Sequence, residues 1–210
     1  MKGSVPRTFA AGLLVAFAAC STSTTGTGSG PAASPQGQPA STPTTNPADV
    51  SFMSGMIHHH AQALEMCRMA PTHGASEALR ILCERITVSQ TDEIALMRQW
   101  LRDHGEPTPD PSATGMPMVV EGVEHDMLMP GMLNEQQMAE LDQAQGQEWD
   151  RLFLAGMIQH HAGALVMVDE LFAAGGAGVD NLIYKFASDT YADQGSEIGR
   201  MQNMLEAIGP

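Results

Sequence analysis

With 24 acidic against 10 basic residues among 210, the chain carries a net charge of −14, which repels nucleic-acid phosphate and makes cations the more natural partners. Helix formers are plentiful and aromatic residues scarce, at 5%, which points towards helices. The length admits one domain or two small ones, and an internal repeat favours one domain built from two similar halves.

The N-terminus reads as an export signal over residues 1–19. Lys2 and Arg7 make a basic start, residues 10–19 form an apolar run too short to span a bilayer, and small residues precede Cys20. Phe17-Ala18-Ala19-Cys20 resembles a bacterial lipobox, in which the cysteine is lipidated after cleavage and anchors the protein to the cell membrane. Phe17 stands where such boxes carry an aliphatic residue, so cleavage after Ala18, giving a secreted protein, is the alternative. Residues 20–48 read as a tether. From 21 to 47 they include no charged and no large apolar side chain, and such a segment cannot bury enough surface to offset its ordering entropy.

The folded domain is expected over residues 49–210. Asp49 is placed to cap a first helix that runs to residue 70, before Pro71. A second helix spans 76–103, with Gly105 and Pro107 as stops. A Pro- and Met-rich connecting loop follows near residues 112–133. Asn134 with Gln137 forms a capping box for a short helix, which bends around Gly146 into a third long helix ended by Gly175 and Gly176. The fourth long helix covers 180–207. Short turns within each half make two antiparallel hairpins, and these pack most simply as an all-α four-helix bundle.

The first helix contains Phe52-Met-Ser-Gly-Met-Ile-His-His-His-Ala-Gln-Ala-Leu-Glu-Met66, which returns 101 residues later as Phe153-Leu-Ala-Gly-Met-Ile-Gln-His-His-Ala-Gly-Ala-Leu-Val-Met167, ten positions being identical. At about 100° per residue, Met56, His59, His60, Ala63 and Met66 share one face, while His58 and its counterpart Gln159 point the other way, towards solvent. The second helix of each half repeats more loosely: Gln90, Glu93, Ile94, Met97 and Leu101 match Gln194, Glu197, Ile198, Met201 and Leu205. Their spacings of three, four and seven make one inward stripe, and a buried carboxylate is costly unless paired or bound to metal. Each hairpin thus brings Met and two His towards Gln, Glu and Met.

The doubled Met-Ile-x-His-His-x-x-Ala pattern, each copy followed by Gln-x-x-Glu-Ile and a Met, resembles the CopM-like family, domain-of-unknown-function family 305, over essentially the whole mature fold. The resemblance implies a ferritin-like four-helix bundle, exported or membrane-attached in bacteria, with copper binding and copper resistance proposed for some members. Carried onto this chain, the metal positions are Met56, His59 and His60, and Met157, His160 and His161. Gln90, Glu93, Met97, Gln194, Glu197 and Met201 are candidates for further ligands or for groups that orient them. His58, Cys67 and Cys83 depart from the family pattern.

The residue chemistry points the same way. Thioether sulfur suits Cu(I), whereas imidazole also serves Cu(II), Zn, Fe and Ni, so mixed Met and His lean to copper. The connecting loop offers a second candidate site in Met116, Met118, His125, Met127, Met129 and Met132, although these Met could equally fill gaps over the bundle. Likewise the His pairs could be a structural network satisfied by Glu93, Glu197, Gln90 and Gln194. Cys67 and Cys83 flank the first hairpin turn, and in an oxidising compartment a disulfide is favoured over a thiolate site. A redox metalloenzyme is a further alternative. A carboxylate di-iron centre is disfavoured, because none of the eight His has Glu three residues before it. The sequence therefore reads as an exported copper-binding protein for sequestration, delivery or resistance, with a metal-free structural or partner-binding bundle as the competitor.

Overall fold

The computed structural model describes residues 45–120 and 122–209. The export signal, Cys20 and most of the tether lie outside the described residues. In chain order come α1 (Pro47–Met69), α2 (Glu77–Asp103), β1 (Met116–Val120), β2 (Val123–Met127), α3 (Glu135–Gln143), α4 (Gly146–Ala173) and α5 (Asn181–Ile208). The four long helices make two antiparallel hairpins, α1 with α2 and α4 with α5, joined along α1 and α4 into an all-α, ferritin-like bundle.

Local signals explain most helix ends. The Asn134 side chain accepts from the Gln137 N–H at 2.9 Å while Gln137 Oε1 accepts from the Asn134 N–H at 3.0 Å, which is the expected capping box. Asp180 caps α5 through the N–H groups of Leu182 and Ile183. The start of α1 differs from expectation. Asn46, not Asp49, caps it by accepting from the Ala48 N–H at 2.9 Å, and Pro47 sits in the first turn, where its missing N–H has no partner to lose. The folded unit thus begins before residue 49. Asp49 is buried and accepts from the Gly178 N–H at 2.7 Å, tying α1 to the α4–α5 turn.

The connection between the halves is not all loop. β1 and β2 pair antiparallel around Gly122, whose φ of +81° favours glycine. On either side of this hairpin the connection presses onto the outer faces of α1 and α4. Gln62 donates to the Ala113 and Leu133 carbonyls at 3.1 and 2.9 Å and accepts from the Leu133 N–H. His58 Nδ1 lies 3.3 Å from the Ser112 carbonyl and N–H, and Gln159 donates to the Gly131 and Met132 carbonyls. The expectation that His58 faces solvent is therefore corrected: it is only 1% exposed, because the connection covers the face that helix periodicity directs outward. Gln159 stays exposed, as expected, even though it donates to the same connection.

The core falls into two apolar clusters. One gathers Phe52, Met53, Met56 and Ile57 of α1 with Met97, Trp100 and Leu101 of α2, Val168 and Leu171 of α4, and Phe186 of α5. The other gathers Ala63 and Met66 of α1, Leu79 and Ile86 of α2, Trp149, Phe153 and Met157 of α4, and Met201 of α5. Fully burying each large side chain stabilises the fold by about 1.5–3 kcal/mol relative to exposure. On all four long helices the residues between the clusters are polar: His59 and His60, Gln90 and Glu93, His160 and His161, and Thr190, Gln194 and Glu197.

Candidate metal centre

The repeat puts one adjacent His pair on α1 and one on α4, and the α1–α4 contact brings them together. All four rings have 0% exposure. His59 and His160 meet in the middle with ring centroids 3.7 Å apart, and each lies just over 6 Å from its own neighbour, His60 or His161. The outer rings face carboxylates: His60 Nε2 lies 2.7 Å from Glu93 Oε2, and His161 Nε2 lies 2.7 Å from Glu197 Oε2. The inner rings donate to backbone instead, His59 Nε2 to the Pro130 carbonyl at 3.1 Å and His160 Nε2 to the His59 carbonyl at 2.9 Å.

These bonds fix the hydrogens. A carbonyl or carboxylate only accepts, so Nε2 of every ring carries a hydrogen. Burial, reinforced by the neighbouring imidazoles, holds His59 and His160 well below the ordinary value of 6.5. They are neutral, and each Nδ1 therefore presents a bare lone pair. All four Nδ1 atoms are buried without a hydrogen-bond partner, as are Gln90 Oε1, Gln194 Oε1 and Thr190 Oγ1. A buried polar atom left unpaired costs about 1–3 kcal/mol, and seven of the eleven such side-chain atoms among the described residues lie in this layer. Ligating His commonly have the other ring nitrogen held by a carboxylate or carbonyl, which is the arrangement here.

The remaining sequence candidates divide. Met56 and Met97 lie in the apolar cluster on one side of the layer, and Met157 and Met201 in the cluster on the other, all fully buried. Gln90 and Gln194 do not satisfy the imidazoles. Glu93 is hydrogen-bonded by both His60 and Ser89; burial pushes its carboxyl up, but these bonds outweigh it and leave it below the usual carboxylate range. Of the connecting-segment Met, Met129 and Met132 are buried in the core, whereas Met116, Met118, His125 and Met127 lie on the hairpin. Thr190 was not signalled by the sequence, since Ile86 occupies the matching place in α2. Neither was the Pro130 carbonyl, because no side-chain pattern reports a backbone acceptor. Among the described residues no three His, Cys, Asp or Glu side chains converge on one metal position. The donor chemistry nevertheless fits a soft ion: bare imidazole nitrogens lie in the middle, with thioethers on both sides.

The protonation states give a testable pH dependence. Because the folded-state values of His59 and His160 lie below 6.5, the unfolded chain binds more protons as the pH falls through that value. Their contribution is complete above about pH 7 and falls below it, by up to about 1.4 kcal/mol per pH unit for each ring. Glu93 stays ionised in this window. Melting of the metal-free protein should occur at a lower temperature at about pH 5.5 than at about pH 7.5. An unchanged or higher melting temperature would show that the inner rings are not held neutral.

Cys67 and Cys83 meet between α1 and α2 as buried free thiols, so the expected disulfide is not formed in this structure. Their mutual hydrogen bond and burial push the Cys67 thiol far up, which disfavours a thiolate metal ligand.

Fold and layer together define a class: duplicated ferritin-like four-helix bundles with an inward histidine pair on the first helix of each half. The chain belongs to the family described as domain of unknown function (DUF305), whose profile matches residues 49–205. A family member from Deinococcus radiodurans is 27% identical, with a TM-score of 0.64 over 79% of this chain and 99% of that one. A member from Streptomyces coelicolor, described as secreted, is 28% identical, with a TM-score of 0.63 over 77% and 92%. CopM in its Cu(II)-bound form is 26% identical, with a TM-score of 0.57 over 76% and 96%; its silver-bound form is 25% identical, with a TM-score of 0.57 over 77% and 98%. No functionally curated protein matches the chain.

Proposed function

We propose that this is an exported protein that binds copper in its buried histidine layer, for sequestration or delivery rather than catalysis. The observation that carries the reading is the set of four imidazoles anchored through Nε2 and unpartnered at Nδ1. In this reading the free Nδ1 atoms are the donors and the Nε2 bonds hold the rings in place. The metal-bound forms of CopM, at 25–26% identity, support the choice of ion, and the secreted relative supports an extracytoplasmic location. With every ring sealed from solvent, the layer suits holding an ion better than turning over a substrate. Lipidation of Cys20 and attachment to the membrane are part of the proposal. So is oxidation of Cys67 and Cys83 once exported: both are buried free thiols in the same apolar cluster, and closing this loop would stabilise the fold by about 3 kcal/mol. Non-reducing mass spectrometry after alkylation should find neither thiol modified, and two alkylated thiols would refute the bond.

The test of the ion is competition with a chromophoric chelator. The exported domain should take Cu(I) or Ag(I) from the chelator more strongly than it takes Zn(II). Equal or weaker Cu(I) affinity would leave the layer as a structural network built on the His60–Glu93 and His161–Glu197 pairs.

A further inference from the structure

The β1–β2 hairpin, which stands where a loop is expected, arranges its side chains in a way the buried layer does not explain. The register sets Met116 opposite Met127 and Met118 opposite His125. Residues directly opposite in an antiparallel pair project to the same face, as do residues two apart on one strand. Met116, Met118, His125 and Met127 therefore form a two-by-two block on one face, with cross-strand neighbours about 5 Å apart at Cβ. The opposite face carries Pro117, Val119 and Asp126. The block is not core filler: Met118 and Met127 are 37% and 40% exposed, His125 is exposed, and only Met116 packs partly against the bundle.

A line of sulfur leads inward from this face. Met127 also lines a cavity of about 270 Å³ with Met129, Met167, Phe52 and Pro130. Met129 and Met167 converge over Gly55 of α1, where a Cβ would lie 2.8 Å from Met129 Sδ and 3.3 Å from Met167 Cε. Pro130 is the residue whose carbonyl anchors His59. The thioethers thus run from solvent to the wall of the histidine layer.

We propose that the hairpin face is a capture site for a soft monovalent cation, Cu(I) or Ag(I), with Met116, Met118, Met127 and His125 as its donors and the Met127–Met129–Met167 cavity as the way in. The site rests on the copper reading of the histidine layer but is separate from it. Thioethers stay unprotonated and attract no hard divalent ions, so three of them beside one imidazole in water select soft cations.

The experiment is equilibrium dialysis of the full exported protein against Ag(I), with methionine-methyl NMR as the second readout. The variant replaces Met116, Met118 and Met127 by Leu and His125→Gln, which keeps apolar volume and removes sulfur and imidazole. Its circular dichroism and melting temperature should match the wild type, because the block is largely exposed. It should bind one equivalent fewer, while His59→Gln with His60→Gln retains that equivalent and its shifts at the Met116, Met118 and Met127 methyls. If wild type and hairpin variant bind the same number of ions with the same affinity, the capture site is overturned and the histidine-layer reading stands. If the wild type binds no silver, both fall.

Discussion

Replacing Gly163 by alanine is expected to lower the melting temperature by about 10 °C, a larger effect than a single added methyl usually has. In the repeat, Gly163 occupies the place that Gln62 holds in the first half. Gln62 grips the connecting segment through hydrogen bonds, whereas Gly163 lets the same segment touch the helix directly. A Cβ there would lie 1.9 Å from the Pro130 carbonyl oxygen and 2.3 Å from its carbon. Both are backbone atoms that no rotamer change can move aside, and Gly131, with φ of +78°, is pressed equally close from the other side. The segment must lift, which takes the Pro130 carbonyl away from His59 and draws Met129 and Met132 out of the core. Overpacking of this kind costs about 3 kcal/mol. A melting temperature within about 2 °C of wild type, worth under about 1 kcal/mol at this size, would show that the contact is slack.

The second large effect concerns His59 and His60 replaced together by Gln. An amide N–H can still reach the Pro130 carbonyl and the Glu93 carboxylate, so the metal-free variant should melt within a few degrees of wild type. Without imidazole nitrogens, however, it should lose most of the copper-dependent stabilisation. Saturation at about a thousand times Kd is worth about 4 kcal/mol, or about 10 °C for a domain of this size. Differential scanning fluorimetry with and without Cu(I) reads both quantities. If the rings are only structural, the variant melts well below wild type regardless of copper, and the copper shift is unchanged.

Much of this site was legible in the sequence because it depends on local periodicity repeated twice. His59 and His60 stand between Met56 and Ala63 on one helical face, and the copy at His160 and His161 shows which of three consecutive His matter. The Gln90 and Glu93 stripe and its partner could be found by the same spacing. What was hidden depends on contacts distant in sequence. His58 is outward on its helix and buried in the protein, because a connection more than 50 residues away covers it. Asp49 looked like a cap and instead holds the turn at Gly178, 129 residues on. The hairpin had a signal, Val119-Val120 and Val123 on either side of a Gly-containing turn, but Pro117 and the run of Met disguised it as loop. Gly163 for Gln62 was visible as a difference between the copies, yet only the approach of Pro130 gives it a meaning.

The central claim is that the unpartnered Nδ1 atoms are metal donors. Heteronuclear NMR of the imidazole nitrogens, recorded before and after Ag(I) or Cu(I) is added to the exported domain, tests it most directly. Before addition, His59 and His160 should show neutral rings with hydrogen on Nε2. After addition, the Nδ1 resonances of the layer should shift strongly while Nε2 keeps its hydrogen. Unchanged Nδ1 resonances at saturating metal would contradict the account and leave the histidines as packing.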